Sequence, residues 1–551
     1  MQFSFQQFLQ KAKNHSLITS GLCLFSLCLL LSFWWVSDNV HYLTDTYEIK
    51  SPHQLRPHFI VGIFSVLSLA FFFRFLVILI HEKKRVAFKR YLIKEKLPII
   101  ALLSVFSIYG FLLFCLAPGL LNEDILYTYH MVRSGWWSGW YSPIHPFLYT
   151  FFLQIYPSMF FVTICNIFLL ALSCAVATRF LLNNLAPKIL LFIGLLLFLL
   201  SPPIVFMAMM PLRDSFFCSI FIISLILSAS YFFSPSSLSS SRYKVIQLGV
   251  LIILWAILSV YRLDSILAAL IFFLILGIKN FKKIKMIIIS LATYMALFFT
   301  IGLLLPLILG SAWELRAERE YKLSLIIQPL SYLIKNGHFN SATAQNDKEH
   351  IEKIFTYKNL VKFYNPNNIS IFWTDEWNKN SSIAERDLVF NTALKLFAEN
   401  PEIFLASRLE MAREISGLQK NGEGIVYYNA SKPKERKIQV TETPKFFMLL
   451  GEKILKKLET TKQYNGLTFS GRIIYWNLII PNLLFLFSIF LLRITPKSAF
   501  FSSLLLSKEI IVLLSAPATF SFYYNSVFIG GIFIFLLLIT EIKNYKKYYK
   551  H

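Results

Sequence analysis

Long apolar runs alternate with short polar connectors along most of this chain, and runs of about 20 apolar residues are what a helix needs to cross a bilayer core. The pattern predicts twelve spans: 16–37, 58–80, 97–117, 158–182, 189–207, 214–233, 245–261, 264–279, 286–309, 472–493, 499–515 and 518–541. The segment 310–471 breaks it. Its start, WELRAEREYKLSLIIQPLSYLI, is amphipathic and should lie close to the membrane surface. Helical patterns follow at 382–399 and 402–417, the second just after Asn400-Pro401, an ordinary helix start. The fold class is therefore an all-α polytopic membrane protein with about twelve transmembrane helices and a mainly helical extracytoplasmic domain. Four parts follow: 1–96 with two spans and a basic loop, a membrane core at 97–309, the extramembrane domain at 310–471, and three closing spans at 472–551.

Composition agrees. Hydrophobic residues make up 56% of the 551, charged residues only 15%, and mean hydropathy is +0.58, outside the soluble range. The net charge of +24 would suit a nucleic-acid partner, but its placement does not. Lys and Arg gather in short connectors: seven in 82–96, three in 281–285 and four in the tail KNYKKYYKH. Lys11, Lys13, Lys188, Arg242, Lys244 and Lys497 fall on the same side. This is the positive-inside signature, reinforced by anionic lipid heads, so membrane lipids and not nucleic acid are the expected partners. Both termini are then cytoplasmic, and the Pro118–Pro146 loop and the insert face outward. The N-terminus shows no cleavable signal pattern, and its first apolar run reads as an anchor helix. All six cysteines (Cys23, Cys28, Cys115, Cys165, Cys174, Cys218) fall in apolar runs without metal-ligand spacing.

The outward loop PGLLNEDILYTYHMVRSGWWSGWYSPIHP holds Glu123 and Asp124. Taken alone, Asn122 caps a short interfacial helix, the two acids complement its dipole, and WWSGWY is an aromatic belt. Three charged groups on the same face alter that reading: Arg213-Asp214 after the Ser201-Pro202-Pro203 kink, Arg262 with Asp264, and Arg316, Glu318, Arg319 and Glu320 at the start of the insert. A charge in apolar surroundings costs about 2.5–3.5 kcal/mol, so such residues usually face a cavity or a partner. Within the spans, Arg74 sits mid-helix, and Lys508-Glu509 read as a compensating pair or as a lysine reaching a lipid phosphate.

The order of these features resembles that of bacterial membrane glycosyltransferases of the GT-C superfamily. Their P-G-x-x-x-x-D pattern is matched by Pro118, Gly119 and Asp124, and a following His-Pro pair by His145-Pro146. Their [KR]-D pair is matched by Arg213-Asp214, and an R-x-[ND]-[GS] turn by Arg262–Ser265. NPEIFLASRL resembles a further helix of that group, so the likeness spans about residues 97–420. It departs near the last helices, where Phe522-Tyr523-Tyr524 stands in place of an Arg-Tyr pair.

The resemblance implies a polyprenyl-phosphate-linked sugar donor and an envelope glycan, lipid or protein as acceptor, on the outer face of a bacterial cytoplasmic (inner) membrane. One base suffices, because the leaving phosphate already stabilises its charge; hydrolases instead set two carboxylates around the bond. Asp124 is expected as that base, with Glu123 its neighbour or alternative. Arg213 and Arg262 are expected at the lipid phosphate, since guanidinium binds phosphate bidentately. Asp214, His145 and Arg319 complete the substrate-binding candidates, His145 being equally a structural histidine. Some relatives use a divalent cation, Mg or Mn; Glu123, Asp124 and Asp214 are the residues that would hold one here, though their spacing is not a metal motif. Two other classes stay open: an O-antigen polymerase or ligase acting through outer-loop arginines, and a flippase or transporter, for which paired discontinuous helices in two related halves would be expected.

Overall fold

In a computed structural model, the structure describes residues 60–61, 96–233, 241–336, 344–416, 444–461 and 475–548. The expected span at 16–37, all but two residues of the one at 58–80, and Arg74 lie outside the described residues.

The membrane part opens with α1 (Lys96–Cys115), followed by α2 (Glu123–Ser134), the two-residue strand β1 (Trp137–Ser138), α3 (Ile144–Ile155) and α4 (Met159–Asn183). Next come α5 (Lys188–Leu200), α6 (Pro202–Met209), α7 (Arg213–Phe233), α8 (Ser241–Tyr261), α9 (Ile266–Lys279) and α10 (Ile284–Phe299). Among the described residues 7 helices are long and apolar enough to cross a membrane, or 8 if the bent pair α5–α6 is one span. The chain is an all-α membrane protein.

Three expected spans take another form. The run at 189–207 is broken by a 60° bend between α5 and α6, because prolines at 202 and 203 cannot continue the hydrogen-bond ladder of α5. Asn166 donates to the carbonyls of Met207 (2.8 Å) and Ala208 (3.0 Å), and the Tyr149 hydroxyl donates to Pro211. Those bonds answer the far end of α6; at the bend itself the Tyr109 hydroxyl donates to Phe198 O at 2.8 Å, so freed carbonyls are satisfied inside the protein, as an apolar medium requires. The runs at 264–279 and 472–493 contain helices of only 14 and 12 residues, about 21 and 18 Å long at 1.5 Å per residue. Asn280 donates to Leu276 O at 3.1 Å at the end of the first, and Asn477 Oδ1 accepts from the Ile479 amide at 2.6 Å at the start of the second.

The insert starts at strand β2 (Trp313–Glu314) and continues as α11 (Leu315–Asn336), α12 (Ala344–Glu352), α13 (Tyr357–Lys362), α14 (Ile383–Glu399), α15 (Pro401–Ile415) and α16 (Lys445–Thr460). Its own core joins Leu323, Ile327 and Leu330 of α11 to Phe355, Phe372, Val389 and Leu396. Ser382 and Glu385 close a capping box at the start of α14. The chain then returns through α17 (Ile479–Phe490), α18 (Pro496–Ser515) and α19 (Asn525–Tyr548).

Among the described residues, two of the joints between insert and membrane part bear on the site. First, β1 pairs in parallel with β2, Trp137 opposite Trp313. Gly139 follows where a Cβ would lie 2.7 Å from both the Glu314 carbonyl and Glu318 Cβ, so only glycine lets the two segments touch. Second, buried Arg408 of α15 donates to Ala516 O at 3.0 Å and to Gln328 at 2.7 Å, while the Thr519 amide donates to Asn367 O at 3.2 Å. The segment after α18 is therefore clamped between insert and membrane.

Candidate functional site

The loop after α1 is anchored before it reaches Asp124. Thr163 of α4 donates to Pro118 O at 3.0 Å, and the Leu120 amide donates to Met209 O at 2.9 Å. Gly119 holds φ +112°, and a Cβ there would meet Met209 O and Thr163 Oγ1 at 2.9 Å, so both conformation and space require glycine. Asn122 then caps α2 as expected, its Oδ1 accepting from the Ile125 amide at 2.9 Å. The cap fixes the first turn, and the first turn aims its two acids in different directions. Asp124 faces inward and lines a cavity with Thr128, Tyr141, His145, Arg213 and Tyr321. Glu123 is exposed and outside that lining. Glu123, expected as its neighbour or alternative, is thus placed apart from Asp124, as neighbours on a helix do not share a face.

Burial pushes the Asp124 carboxyl above its ordinary range, partly offset by the Arg213 charge and by the Tyr141 hydroxyl, which donates to Oδ1 at 3.4 Å. A carboxylate that binds a proton more readily than usual, within a cavity, is suited to act as a base.

Arg213 starts α7. Its guanidinium lies over the rings of Tyr141 (5.5 Å) and Tyr321 (6.0 Å), and its Nε stands 4.0 Å from Asp214 Oδ2 without a hydrogen bond. Arg262 is differently placed. It forms ion pairs with Asp214 and with Asp264 (2.8 Å), and a further bond from Nε to Asp264 Oδ2 at 3.0 Å. Its charge is also stacked on Tyr523 at 5.4 Å. Both edges of its fork are occupied by carboxylates, so of the two expected phosphate cations Arg213 is the open one.

Lys508 joins the cluster, 3.5 Å from Asp264 and donating to Tyr523 O at 3.0 Å. Glu509 turns away and accepts from Asn482 at 2.7 Å. The two are not a compensating pair, because adjacent helical positions point apart.

His145 lines the same cavity with both ring nitrogens engaged, Nδ1 to Tyr261 Oη at 3.2 Å and Nε2 to Thr128 Oγ1 at 3.4 Å. It ties α2, α3 and the end of α8 together, a positioning role. Arg319 departs from expectation: it pairs with Asp387 at 3.2 Å as a link between α11 and α14 and does not line the Asp124 cavity. Glu123, Asp124 and Asp214 are not gathered either, and among the described residues no group of three or more His, Cys, Asp or Glu is placed to hold a metal.

A second, larger space meets the first. It measures about 1630 Å³ with its mouth, against about 700 Å³ for the Asp124 cavity. Phe298, Phe299 and Leu303 form an apolar wall of it, and Ile511, Val512, Arg262 and Asp264 also line it. The wall belongs to the apolar column Phe281–Ala312, whose side chains are mostly outside the packed core. A π-turn at Thr300–Leu304 bends past the groove. Trp140, Tyr141, Arg213, Tyr321 and Tyr523 line both spaces, so Arg213 stands at their junction.

No family model, no curated protein and no solved structure matches this chain. The case for function rests on the residues themselves.

Sequence reasoning missed Tyr141, Tyr321 and Tyr523. Tyr141 was hidden within an aromatic stretch that reads equally as a belt. Tyr321 and Tyr523 lie far from the loop in sequence, and only the docking of the insert brings them to Arg213.

Proposed function

We propose that the protein is a membrane glycosyltransferase moving a sugar from a polyprenyl-phosphate-linked donor to a cell-envelope acceptor. The observation that carries this reading is the position of Arg213 where an apolar groove meets a polar cavity holding Asp124. A lipid phosphate needs both features: apolar walls for its chain and an unsaturated cation at the end. The acceptor hydroxyl oxygen bonds to the anomeric carbon from the face opposite the phosphate. The bond from that carbon to the phosphate oxygen breaks, its electron pair leaves on the phosphate, and Asp124 takes the acceptor proton. The configuration inverts. Arg213 and, behind it, Lys508 and Arg262 offset the charge that reaches the phosphate. The basic connectors set the termini in the cytoplasm and this site on the outer face of a bacterial cytoplasmic membrane.

The test is transfer in proteoliposomes given a polyprenyl-phosphate-linked sugar and envelope glycan, lipid or protein fractions, with products read by mass spectrometry. Asp124→Asn is expected to lower the rate about 10²–10⁴-fold. In the parent the rate rises with pH through a pKa above the ordinary 3.8, since the base works only as carboxylate; that limb disappears in the variant. Full activity in Asp124→Asn, with loss only on arginine substitution, would favour the O-antigen polymerase or ligase reading.

A further inference from the structure

The rim of the Asp124 cavity carries a feature that a catalytic base and a phosphate site leave unexplained. Trp373 lines the cavity yet is 74% exposed. It ends a short helical turn, Ser370–Trp373, whose other hydrophobic residues, Ile371 and Phe372, are buried in the core of the insert. Phe372 packs on Trp377 at 4.9 Å and on Trp140 at 6.2 Å, so the turn that presents the indole is firmly held. A single exposed apolar side chain is ordinary; what sets Trp373 apart is that it borders a cavity lined by other aromatic rings.

The surroundings identify the contact. Trp373 is followed by Asp375, whose side chain is 98% exposed, and by Glu376 at 45%, with Lys379 at 48%. Charges so exposed belong in water, not against hydrocarbon. The same cavity is lined by the rings of Trp140, Tyr321 and Phe522, with Thr128, Asn368 and Asp124 supplying polar atoms. Flat aromatic walls interrupted by hydroxyl, amide and carboxylate groups match a pyranose, which has apolar C–H faces and a polar edge.

We infer that this cavity is a carbohydrate-binding subsite: the acceptor is a glycan that enters from the aqueous side and stacks a sugar ring on Trp373, with a hydroxyl directed to Asp124. The inference rests on the glycosyltransferase reading and narrows its acceptor from glycan, lipid or protein to glycan.

The test uses the full chain in lipid nanodiscs, because sugar-headed detergents would compete. Saturation-transfer NMR is recorded with a panel of methyl pyranosides of glucose, galactose, mannose and N-acetylglucosamine. At least one is expected to receive saturation, mainly on the C–H protons of one ring face. Trp373→Ala should weaken that transfer at least tenfold while leaving the melting temperature unchanged, and Trp373→Phe should restore most of it. Asp124→Asn should keep it. Absence of transfer to every sugar, or transfer unaltered in Trp373→Ala, overturns the subsite. So does a Trp373→Ala effect confined to the binding of lipid vesicles or of added envelope protein. Sugar binding that depends on Trp373 in a protein without transferase activity would uphold the subsite and sink the enzyme. Asp124-dependent transfer indifferent to Trp373 would do the reverse.

Discussion

Arg386 is fully buried and Arg213 largely so, and their bonding is opposite. Arg386, on α14, donates to Glu320 at 2.6 Å, to Lys379 O at 2.8 Å and to Ser381 Oγ at 3.1 Å. Its positions are filled by protein, so its charge serves the fold of the insert. Arg213 has two aromatic faces, a carboxylate at 4.0 Å and two cavities beside it. A buried cation must be compensated, and where the protein leaves the compensation incomplete an anionic ligand can supply it. Burial alone does not mark a site; incomplete bonding next to open space does.

The comparison breaks most sharply at Arg386. Arg386→Ala removes the bonds to Ser381 and to the Lys379 carbonyl and leaves Glu320 only Arg316 at 3.7 Å; it should cost about 3 kcal/mol of stability, seen as a large fall in the melting temperature. Arg213→Ala should leave that melting temperature near the parent's. It should instead lower transfer by on the order of a hundredfold, about 2.7 kcal/mol of barrier. Equal destabilisation by both substitutions would make Arg213 structural and remove the distinction. The smallest effect is expected at Glu123→Gln. Glu123 is exposed at the start of α2, so the change should cost only about 0.3–1 kcal/mol through the helix dipole and leave transfer within twofold. A loss as large as that of Asp124→Asn would restore Glu123 to the site.

Much of the fold was legible in the sequence. Apolar run length is a local property, and most of the expected spans within the described residues appear as helices. The Asn122 cap and the Pro401 helix start were legible for the same reason: each depends on contacts within one turn. The bend at Pro202 was legible as a kink, but not its 60° size, which depends on what packs against it. The runs at 264–279 and 472–493 hold helices of 14 and 12 residues, because hydropathy records what a segment tolerates and not how long a helix it forms.

The site was legible in part. The sequence by itself named Asp124, Arg213, Asp214, Arg262 and His145, because acids, cations and histidine stand out against apolar runs. It could not decide between Asp124 and Glu123, since that depends on which face of α2 is turned inward. Nor could it tell that Arg262 is occupied while Arg213 is open, because their carboxylate partners are set by the approach of α7, the turn after α8, and α18. It also placed Arg319 with the site, whereas the packing of α11 on α14 gives it to Asp387. Composition and periodicity, being additive along the chain, determined that this is a helical membrane protein with charges gathered in connectors. Which charges meet, and which are left with room for a ligand, depends on contacts between residues hundreds of positions apart, and only the tertiary structure decides that.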